Sequence, residues 1–428
     1  MKSYKEYTKE ELEKELDVLR EKYKKYQQLG LELNMARGKP CPDQLNLSME
    51  MMDVLSSSQD LSCEDGTDCR NYGVLSGIEE CKELLSSIIE CPPENIIIYG
   101  NSSLNVMFDT ISRSMTHGVM GSTPWCKLEK VKFLCPVPGY DRHFAITEYF
   151  GIEMISVPMN ECGPDMDLVE RLVSTDPAIK GIWCVPKYAN PNGVTYSDEV
   201  VKRFANLKPA ARDLRIYWDN AYSVHHLYED KQDYLLEILE ECKKAGNPDM
   251  VYKFSSTSKI SFPGSGVACL ATSLNNMSDI KKQMGIQTIG YDKVNQLRHV
   301  RFFKNLDGIK AQMKKHADIL RPKFELVENI LEEELSGLDC GTWTKPRGGY
   351  FISFQTLHGC AAHVISRCKK CGVIMTPAGS TYPYHNDPYD SNIRIAPSYP
   401  CFNDLETATR IFALSVKIES IKLLLRFF

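Results

Sequence analysis

Between residues 95 and 273 the sequence alternates short apolar runs with amphipathic segments, and this alternation limits the possible folds more than any other feature. The runs are rich in Ile, Val, Trp and Tyr and lack a regular apolar–polar alternation, which is typical of strands buried on both faces. Strands that alternate with helices predict a mainly parallel sheet with helices on both sides. The predicted strands are residues 95–99, 132–137, 153–159, 180–185, 214–218, 250–254 and 267–271, and the predicted helices include 104–116, 165–174, 198–207 and 233–244.

After residue 290 the pattern changes and predicts a smaller α+β domain. A chain of 428 residues can form about two or three domains. We expect an N-terminal arm at 1–60, a large α/β domain at 61–305 and a small domain at 306–428. In the second half, helical periodicity covers 291–336, 361–370 and 403–424, whereas 348–354, 373–376 and 392–397 predict a hairpin-like or mixed sheet. An amphipathic helix at 8–29 belongs to the arm that completes the small domain.

Composition narrows the possible partners. The net charge of −5 and the pI near 6.1 argue against a nucleic-acid surface. No apolar run reaches the roughly 18 residues that cross a bilayer, and the charged first residues lack a signal core. Most of the sixteen cysteines are scattered singly, as in a reducing compartment, and the lone pair Cys368–Cys371 has no second pair with which to bind zinc. We therefore expect a cytoplasmic protein without a metal.

A single lysine, Lys259, lies among hydroxyl residues in Ser-Ser-Thr-Ser-Lys-Ile-Ser-Phe-Pro-Gly-Ser-Gly, residues 255–266. An amine that attacks a carbonyl near pH 7 must be partly neutral, which requires burial or a cationic neighbour. The small hydroxyls of Ser256 and Ser258 can contact a phosphate without crowding it. This combination indicates a Schiff base between Lys259 and pyridoxal phosphate (PLP). The alternative is a loop with a solvated lysine.

Three further residues match what the pyridine ring of PLP needs. Asp219 directly follows the predicted strand 214–218, at the carboxyl end where parallel strands bind ligands, and its carboxylate could keep the pyridine nitrogen protonated. Tyr222 and Asn190 could donate hydrogen bonds to the phenolate oxygen. The alternatives are a helix cap for Asp219, a core aromatic for Tyr222 and a turn for Asn190.

Other residues are candidates for binding the phosphate of PLP and for packing on the face of its ring. Asn101, Ser102 and Ser103 follow the strand 95–99 and open a helix, whose free N–H groups and positive dipole end suit an anion. Simple helix capping is the alternative. Tyr140, after the strand 132–137, could lie flat on the ring, or it could be a core residue.

Arg394 lies inside an apolar strand, where a guanidinium is costly to bury without an anion. Its forked donors match an α-carboxylate. An internal salt bridge is the alternative.

Six motifs, in order along the chain, resemble the class I aminotransferases of PLP fold type I. The similarity runs from about residue 31 to about 415, and its motifs are Gly38 in Ala-Arg-Gly-Lys-Pro, Tyr72 in Asn-Tyr-Gly, Asn190-Pro-Asn-Gly193, Asp219-x-Ala-Tyr222, Ser256-Thr-Ser-Lys259 and Arg394. The resemblance implies that Lys259, Asp219 and Tyr222 are catalytic and that Gly38, Asn190 and Arg394 bind substrate. It also implies that Tyr72 crosses a homodimer interface to the partner's phosphate.

One position departs from the family pattern. Gly266 stands where the family has an arginine that binds the phosphate, so other groups must meet that charge. This departure is similar to a divergent bacterial subgroup of aspartate aminotransferases.

The resemblance implies a ping-pong transfer of an amino group from aspartate or glutamate to a 2-keto acid such as 2-oxoglutarate, with Lys259 moving the proton. Arg37, beside Gly38, is a candidate for a distal carboxylate, as are Arg70, Arg142 and Lys187. A β- or γ-lyase or a synthase on the same fold is the alternative, because the motifs bind the cofactor and carboxylate without choosing the bond that breaks.

Overall fold

A computed structural model describes residues 2–428. The helices are α1 Lys9–Gln27, α2 Pro42–Asn46, α3 Glu79–Ile89, α4 Ser103–His117, α5 Asp141–Tyr149, α6 Met166–Thr175, α7 Asp198–Ala205, α8 Ile238–Lys244, α9 Leu274–Gln287, α10 Lys293–Phe303, α11 Leu306–Leu335, α12 Ala361–Lys370 and α13 Phe402–Leu424. The strands are β1 Leu33–Asn34, β2 Ile96–Ile98, β3 Lys132–Val137, β4 Glu153–Asn160, β5 Gly163–Pro164, β6 Ile179–Cys184, β7 Arg215–Asp219, β8 Val251–Ser256, β9 Ala268–Ala271, β10 Gly341–Trp343, β11 Ile352–Thr356, β12 Val373–Ile374 and β13 Asn392–Ile395.

The central sheet has the order β2-β9-β8-β7-β6-β3-β4-β5. The strand pairs from β4 through β3, β6 and β7 to β8 are parallel. Only β9, against β2 and β8, and β5, against β4, run antiparallel to their neighbours. The seven predicted strands are all present in this sheet, so the predicted α/β class with a mainly parallel sheet is confirmed.

Both faces of this sheet are buried, which explains why its strands read as continuous apolar runs. Consecutive side chains point to opposite faces. Phe133 and Tyr217 pack in one apolar cluster with helices α4 and α9, whereas Leu134 and Trp218 pack in a second cluster with α6, α7 and α8. Helices therefore cover the sheet on both sides.

The second half of the chain forms an antiparallel sheet, β10-β11-β13. The predicted sheet of 348–354, 373–376 and 392–397 is wrong in one strand. β12 pairs in parallel with β1 of the N-terminal arm, and β10 takes its place in the sheet. No sequence pattern indicated that β12 pairs with a strand 340 residues away (Leu33 opposite Val373). This pairing attaches the arm to the second half of the chain.

The helical stretch predicted at 291–336 is two helices rather than one. Lys304 ends α10 with φ of 65°, in the left-handed region that breaks a helix. Asn305 then caps α11 by accepting a hydrogen bond from Gly308 N at 3.1 Å. The helix predicted at 8–29 is confirmed as α1, which begins with a capping box between Thr8 and Glu11.

Within residues 2–428, none of the helices has the length and apolar character needed to span a bilayer. The large sheet and the smaller sheet are joined by α11, whose buried residues pack in both regions: Ile309 and Met313 lie in the cluster under α3 and α10, and Phe324 and Val327 lie in the cluster with α1 and α13.

Candidate active site

Several predicted site residues follow parallel strands of the central sheet at the same edge. Asp219 is the last residue of β7, Ser256 is the last residue of β8, and Ser103 begins α4 after β2. The carboxyl ends of parallel strands meet at one edge, where α/β proteins bind ligands. The topology therefore gathers side chains that lie up to 156 residues apart, counted from Ser103 to Lys259.

Lys259 follows β8 in a turn and has a half-buried side chain. Its Nζ lies 4.8 Å from the centroid of the Tyr222 ring and 5.7 Å from that of Tyr350. Burial lowers the pKa of Lys259, and the negative charge of Asp219 opposes part of that shift. A lowered pKa provides the neutral amine that carbonyl attack requires.

One carboxylate oxygen of Asp219 is hydrogen-bonded, and the other has no partner in the described part of the chain. His143 Nε2 donates to Asp219 Oδ2 at 3.0 Å, and the His143 ring stacks on Trp183 with centroids 4.3 Å apart. The other carboxylate oxygen, Oδ1, is buried and has no hydrogen-bond partner among residues 2–428. A buried acceptor of this kind is normally satisfied, so Oδ1 fits the protonated nitrogen of a bound pyridine ring.

Two tyrosines border the same space. Tyr222 is 3% exposed, and burial raises its pKa well above the ordinary value, so its hydroxyl stays protonated as a donor. Burial, with a contribution from the charge of Asp141, raises the pKa of Tyr140 to about 12. The Tyr140 ring lies edge-on to His143 at 4.9 Å between centroids.

Arg394 lies in β13 with its side chain 6% exposed. Its Nη1 donates to Asp141 Oδ1 at 2.7 Å and to Asn190 Oδ1 at 3.3 Å. Its Nη2 contacts Thr376 Oγ1 at 3.5 Å, and its Nε is buried without a partner among residues 2–428. The internal salt bridge is thus present, and Nη2 and Nε retain donor capacity that is available to an anion.

Gly38 packs against the ring of Phe351, which also lies beside Arg394. A Cβ on Gly38 would lie 2.4 Å from Phe351 Cζ, so this position accepts no side chain without displacing the ring. The Arg394 guanidinium lies 4.8 Å from the centroid of the same ring. Arg37, next to Gly38, is exposed.

The predicted phosphate residues form a connected set. The Ser256 hydroxyl donates to Ser258 Oγ at 3.0 Å, and the Ser258 hydroxyl donates to the main-chain oxygen of Asn101 at 3.1 Å. Ser102 is the N-cap of α4 without a side-chain hydrogen bond to the helix, so the simple capping alternative for it does not hold. Ser103, the first residue of α4, is half-buried. The free N–H groups of the first turn of α4 remain available to an anion.

Gly266 lies against this set without contributing to it, since a Cβ there would be 3.3 Å from Asn101 O. A cation reaches the same loop from α10. Arg298 Nη2 donates to Ser265 Oγ and, at 2.5 Å, to Asn295 Oδ1. Arg298 pairs with no carboxylate among residues 2–428, and its Nε is buried without a partner.

Tyr72 is not brought to Lys259 within the chain. It is 83% exposed on a loop that Lys293 holds by donating to Asn71 O at 2.6 Å and to Gly73 O at 3.1 Å. Val74 on the same loop is also exposed, as are Ile286 and Ile289 in a second segment at the end of α9. The backbones of the two segments meet at Gly73 and Gly290.

Sequence reasoning did not assign roles to four residues at this centre: His143, Asp141, Arg298 and His225. Asp141 and His143 directly follow Tyr140, so their place beside a predicted site residue was the available signal. His225 follows Tyr222 by three residues, which is the same kind of signal, whereas nothing in the sequence around Arg298 indicated its contact with Ser265. Among residues 2–428 there is also no cluster of three or more His, Cys, Asp or Glu side chains suited to a metal.

Comparison with known proteins identifies the family of this chain. The model of the aspartate amino-transferase family matches residues 7–426. The chain belongs to the aspartate aminotransferase family. An aspartate aminotransferase of Corynebacterium glutamicum is 44% identical over 400 residues, which cover 93% of this chain and 90% of the relative. This family member is therefore an aminotransferase, as predicted, and its cofactor is PLP.

Solved structures confirm the fold of this aminotransferase. A crystal structure of an aspartate transaminase from Corynebacterium glutamicum superposes with a TM-score of 0.95 at 43% identity, covering 98% of this chain and 99% of that one. The α-aminoadipate aminotransferase LysN from Thermus thermophilus, solved with N-(5'-phosphopyridoxyl)-L-leucine, superposes with a TM-score of 0.74 at 18% identity, covering 92% and 93%. The predicted PLP fold type I is confirmed.

Proposed function

We propose that this aminotransferase moves the amino group of aspartate or glutamate to a 2-keto acid such as 2-oxoglutarate in a ping-pong cycle. The observation that carries the proposal is the juxtaposition of a lysine of lowered pKa, a half-satisfied buried carboxylate and a buried arginine with free donors. The substrate choice is supported by the relatives named for aspartate.

The residues fit PLP because each of its polar groups meets a complementary one. Asp219 Oδ1 would accept from the pyridine nitrogen, while Tyr222 and the amide nitrogen of Asn190 would donate to the phenolate oxygen. Tyr140 would lie at a ring face. When bound, PLP withdraws electrons from the substrate Cα and so makes its proton acidic.

Lys259 performs the proton transfer in this proposal. Its neutral amine takes the proton from Cα and later returns it to the C4′ carbon, acting first as base and then as acid. The lowered pKa matches both tasks, since an ammonium of ordinary pKa would stay charged and could not accept the proton.

Arg394 orients the amino acid by binding its α-carboxylate. Nη2 and Nε are the donors still available, and the Phe351 ring that packs on Gly38 also lies 4.8 Å from the Arg394 guanidinium. Arg37 is our candidate for a distal carboxylate. Of the other candidates, Arg70 is paired with Asp68 at 2.6 Å and Lys187 donates to Ser223 O at 2.8 Å.

The phosphate would rest on Asn101, Ser102 and Ser103 at the start of α4, with Ser256 and Ser258 beside it. In place of the arginine missing at Gly266, we infer that Arg298 supplies the cation. It contacts the residue next to Gly266 and has no carboxylate partner among residues 2–428. A guanidinium without a counter-ion beside an anion seat favours phosphate binding.

A cytoplasmic homodimer with shared sites is part of the proposal. Tyr72 is exposed together with Val74, Ile286 and Ile289, an apolar surface of the kind that an interface covers. A two-fold axis would bring each Tyr72 to the other phosphate seat. The sixteen cysteines are all free, which supports a reducing compartment.

Borohydride reduction of the purified holoenzyme followed by peptide mapping tests the site, and we expect the cofactor on Lys259. L-aspartate should bleach the visible cofactor band and yield oxaloacetate, and 2-oxoglutarate should restore the band with formation of glutamate. Release of ammonia, or loss of a side-chain fragment without amino transfer, would instead identify the lyase alternative.

A further inference from the structure

His225 is a buried imidazole whose ring nitrogens are not used by any other side chain. It is 3% exposed, and no side chain among residues 2–428 hydrogen-bonds to Nδ1 or Nε2. Burying an unpaired polar group costs folding free energy, whereas an apolar ring of similar size would not incur that cost. The two ring nitrogens are therefore available to hydrogen-bond with a group that becomes charged or binds during the reaction.

Hydrogen bonds fix the main chain at His225. His225 N donates to Tyr222 O at 3.1 Å, and Gly349 N donates to His225 O at 2.9 Å. The next residue, His226, forms an antiparallel bridge with Gly348. The backbone position from which the imidazole extends is therefore set from both sides.

His225 and Lys259 share the same two aromatic neighbours. The His225 ring lies 5.6 Å from Tyr222 and 6.0 Å from Tyr350 between centroids, and Lys259 Nζ lies 4.8 Å and 5.7 Å from the centroids of those rings. Burial holds the pKa of His225 well below its ordinary value. The charge of Lys259 and the nearby His316 and His226 add to this effect, and the Lys259 main chain opposes it.

We propose that His225 is a positioning residue for Lys259, a neutral imidazole that accepts a hydrogen bond from the Lys259 ammonium after the lysine has taken the substrate proton. The proton passes from Cα to Nζ and then from Nζ to C4′, so His225 gains and loses none. An ammonium in a buried site is destabilised, and a nearby lone pair offsets part of that cost. The inference rests on the proposed transamination.

The variant that tests it is His225→Phe in the holoenzyme. We expect kcat with aspartate and 2-oxoglutarate to fall about 10- to 100-fold, with KM nearly unchanged. The primary isotope effect with α-deuterated aspartate should rise, because proton transfer becomes more rate-limiting. Thermal stability should stay equal or increase, since the substitution removes two buried nitrogens that no side chain satisfies. His225→Gln, which keeps an acceptor, should retain part of the lost rate.

His226→Phe is the matched control. Its Nδ1 lies 2.7 Å from Tyr188 Oη, so this variant should lose stability without a change in isotope effect. A His225→Phe enzyme with wild-type kcat and isotope effect would overturn the inference and leave the proposed function intact. Equal losses of rate and stability in His225→Phe and His225→Gln would overturn it too, because they would indicate a structural role only. A wild-type enzyme that fails to transaminate would remove both proposals.

Discussion

Asp219 and Arg394 are the two buried charges of the site, and they are satisfied in different ways. Asp219 is fixed by His143, itself stacked on Trp183, and keeps Oδ1 free. Arg394 already has a carboxylate partner, Asp141, at 2.7 Å. In the proposed function, the cofactor side therefore has a free acceptor before PLP binds, whereas Arg394 on the substrate side shares or exchanges a partner when the amino acid binds.

This difference has a physical reason. PLP stays in the enzyme through both half-reactions, so a rigid acceptor that no protein group occupies suits it. The amino acid and keto acid enter and leave in every cycle. An unpaired buried guanidinium would be costly between those events, and Asp141, whose side chain is 28% exposed, can provide a counter-ion that yields to substrate.

We expect the largest effect on kcat from a substitution of Asp219, the carboxylate that His143 fixes. Asp219→Asn should lower kcat about 100- to 1,000-fold, because a neutral amide cannot stabilise the protonated ring. Its stability should change little. Asp213→Asn is the contrast: Asp213 is 7% exposed and pairs with Lys180 at 2.6 Å, so this change should cost about 3–5 kcal/mol of stability while kcat is retained. Kinetics and thermal unfolding of both variants check this, and a fully active Asp219→Asn enzyme would contradict the assignment.

Arg298→Gln tests whether the cofactor side includes a cation from α10. We expect the affinity of the apoenzyme for PLP to fall about 10-fold or more, since a charge-assisted hydrogen bond to phosphate is lost. The affinity for pyridoxal, which lacks phosphate, should stay the same. Arg301→Gln, three residues on and bonded to Asp60 O, should change neither. Equal weakening of PLP and pyridoxal by Arg298→Gln would mean that Arg298 supports the loop rather than the phosphate.

Asp141→Asn tests exchange on the substrate side. Removing the carboxylate charge weakens its hold on Arg394, so KM for aspartate should fall about 3- to 10-fold. Asp167→Asn is the control, because Asp167 pairs with Arg203 at 2.6 Å on the surface and should leave KM unchanged. Steady-state kinetics decide the matter. A higher KM in Asp141→Asn would show that Asp141 orients Arg394 instead of competing for it.

Tyr72→Phe tests the proposed contact between the two subunits. It removes one hydroxyl from the proposed contact with the partner's phosphate, so PLP retention should weaken about 3- to 10-fold while the dimer persists. Tyr234→Phe, at a tyrosine that is 68% exposed elsewhere, is the control. Dialysis with cofactor absorbance and sedimentation measures both properties. Unchanged PLP retention would rule out the cross-subunit contact.

Much of the fold was readable from local patterns. Continuous apolar runs predicted β3, β6, β7 and β8 because strands buried on both faces need apolar side chains throughout. The break at Lys304 was missed because Lys304 itself is neither Gly nor Pro, although two signals lie close by: Asn305, the N-cap residue of α11, and Gly308, where a Cβ would collide with Phe303 O. The pairing of β1 with β12 was missed because two-residue strands carry almost no periodic signal.

By itself, the sequence determined the chemistry: which residue types follow which strands, and hence a lysine, an aspartate and an arginine suited to PLP and an amino acid. The tertiary structure alone decided how those groups are satisfied, because hydrogen-bond partners come from distant segments. The vacancy on Asp219, the pairing of Arg394 with Asp141, the approach of Arg298 to Ser265 and the ring nitrogens of His225 that no side chain satisfies all depend on contacts between elements that only folding brings together.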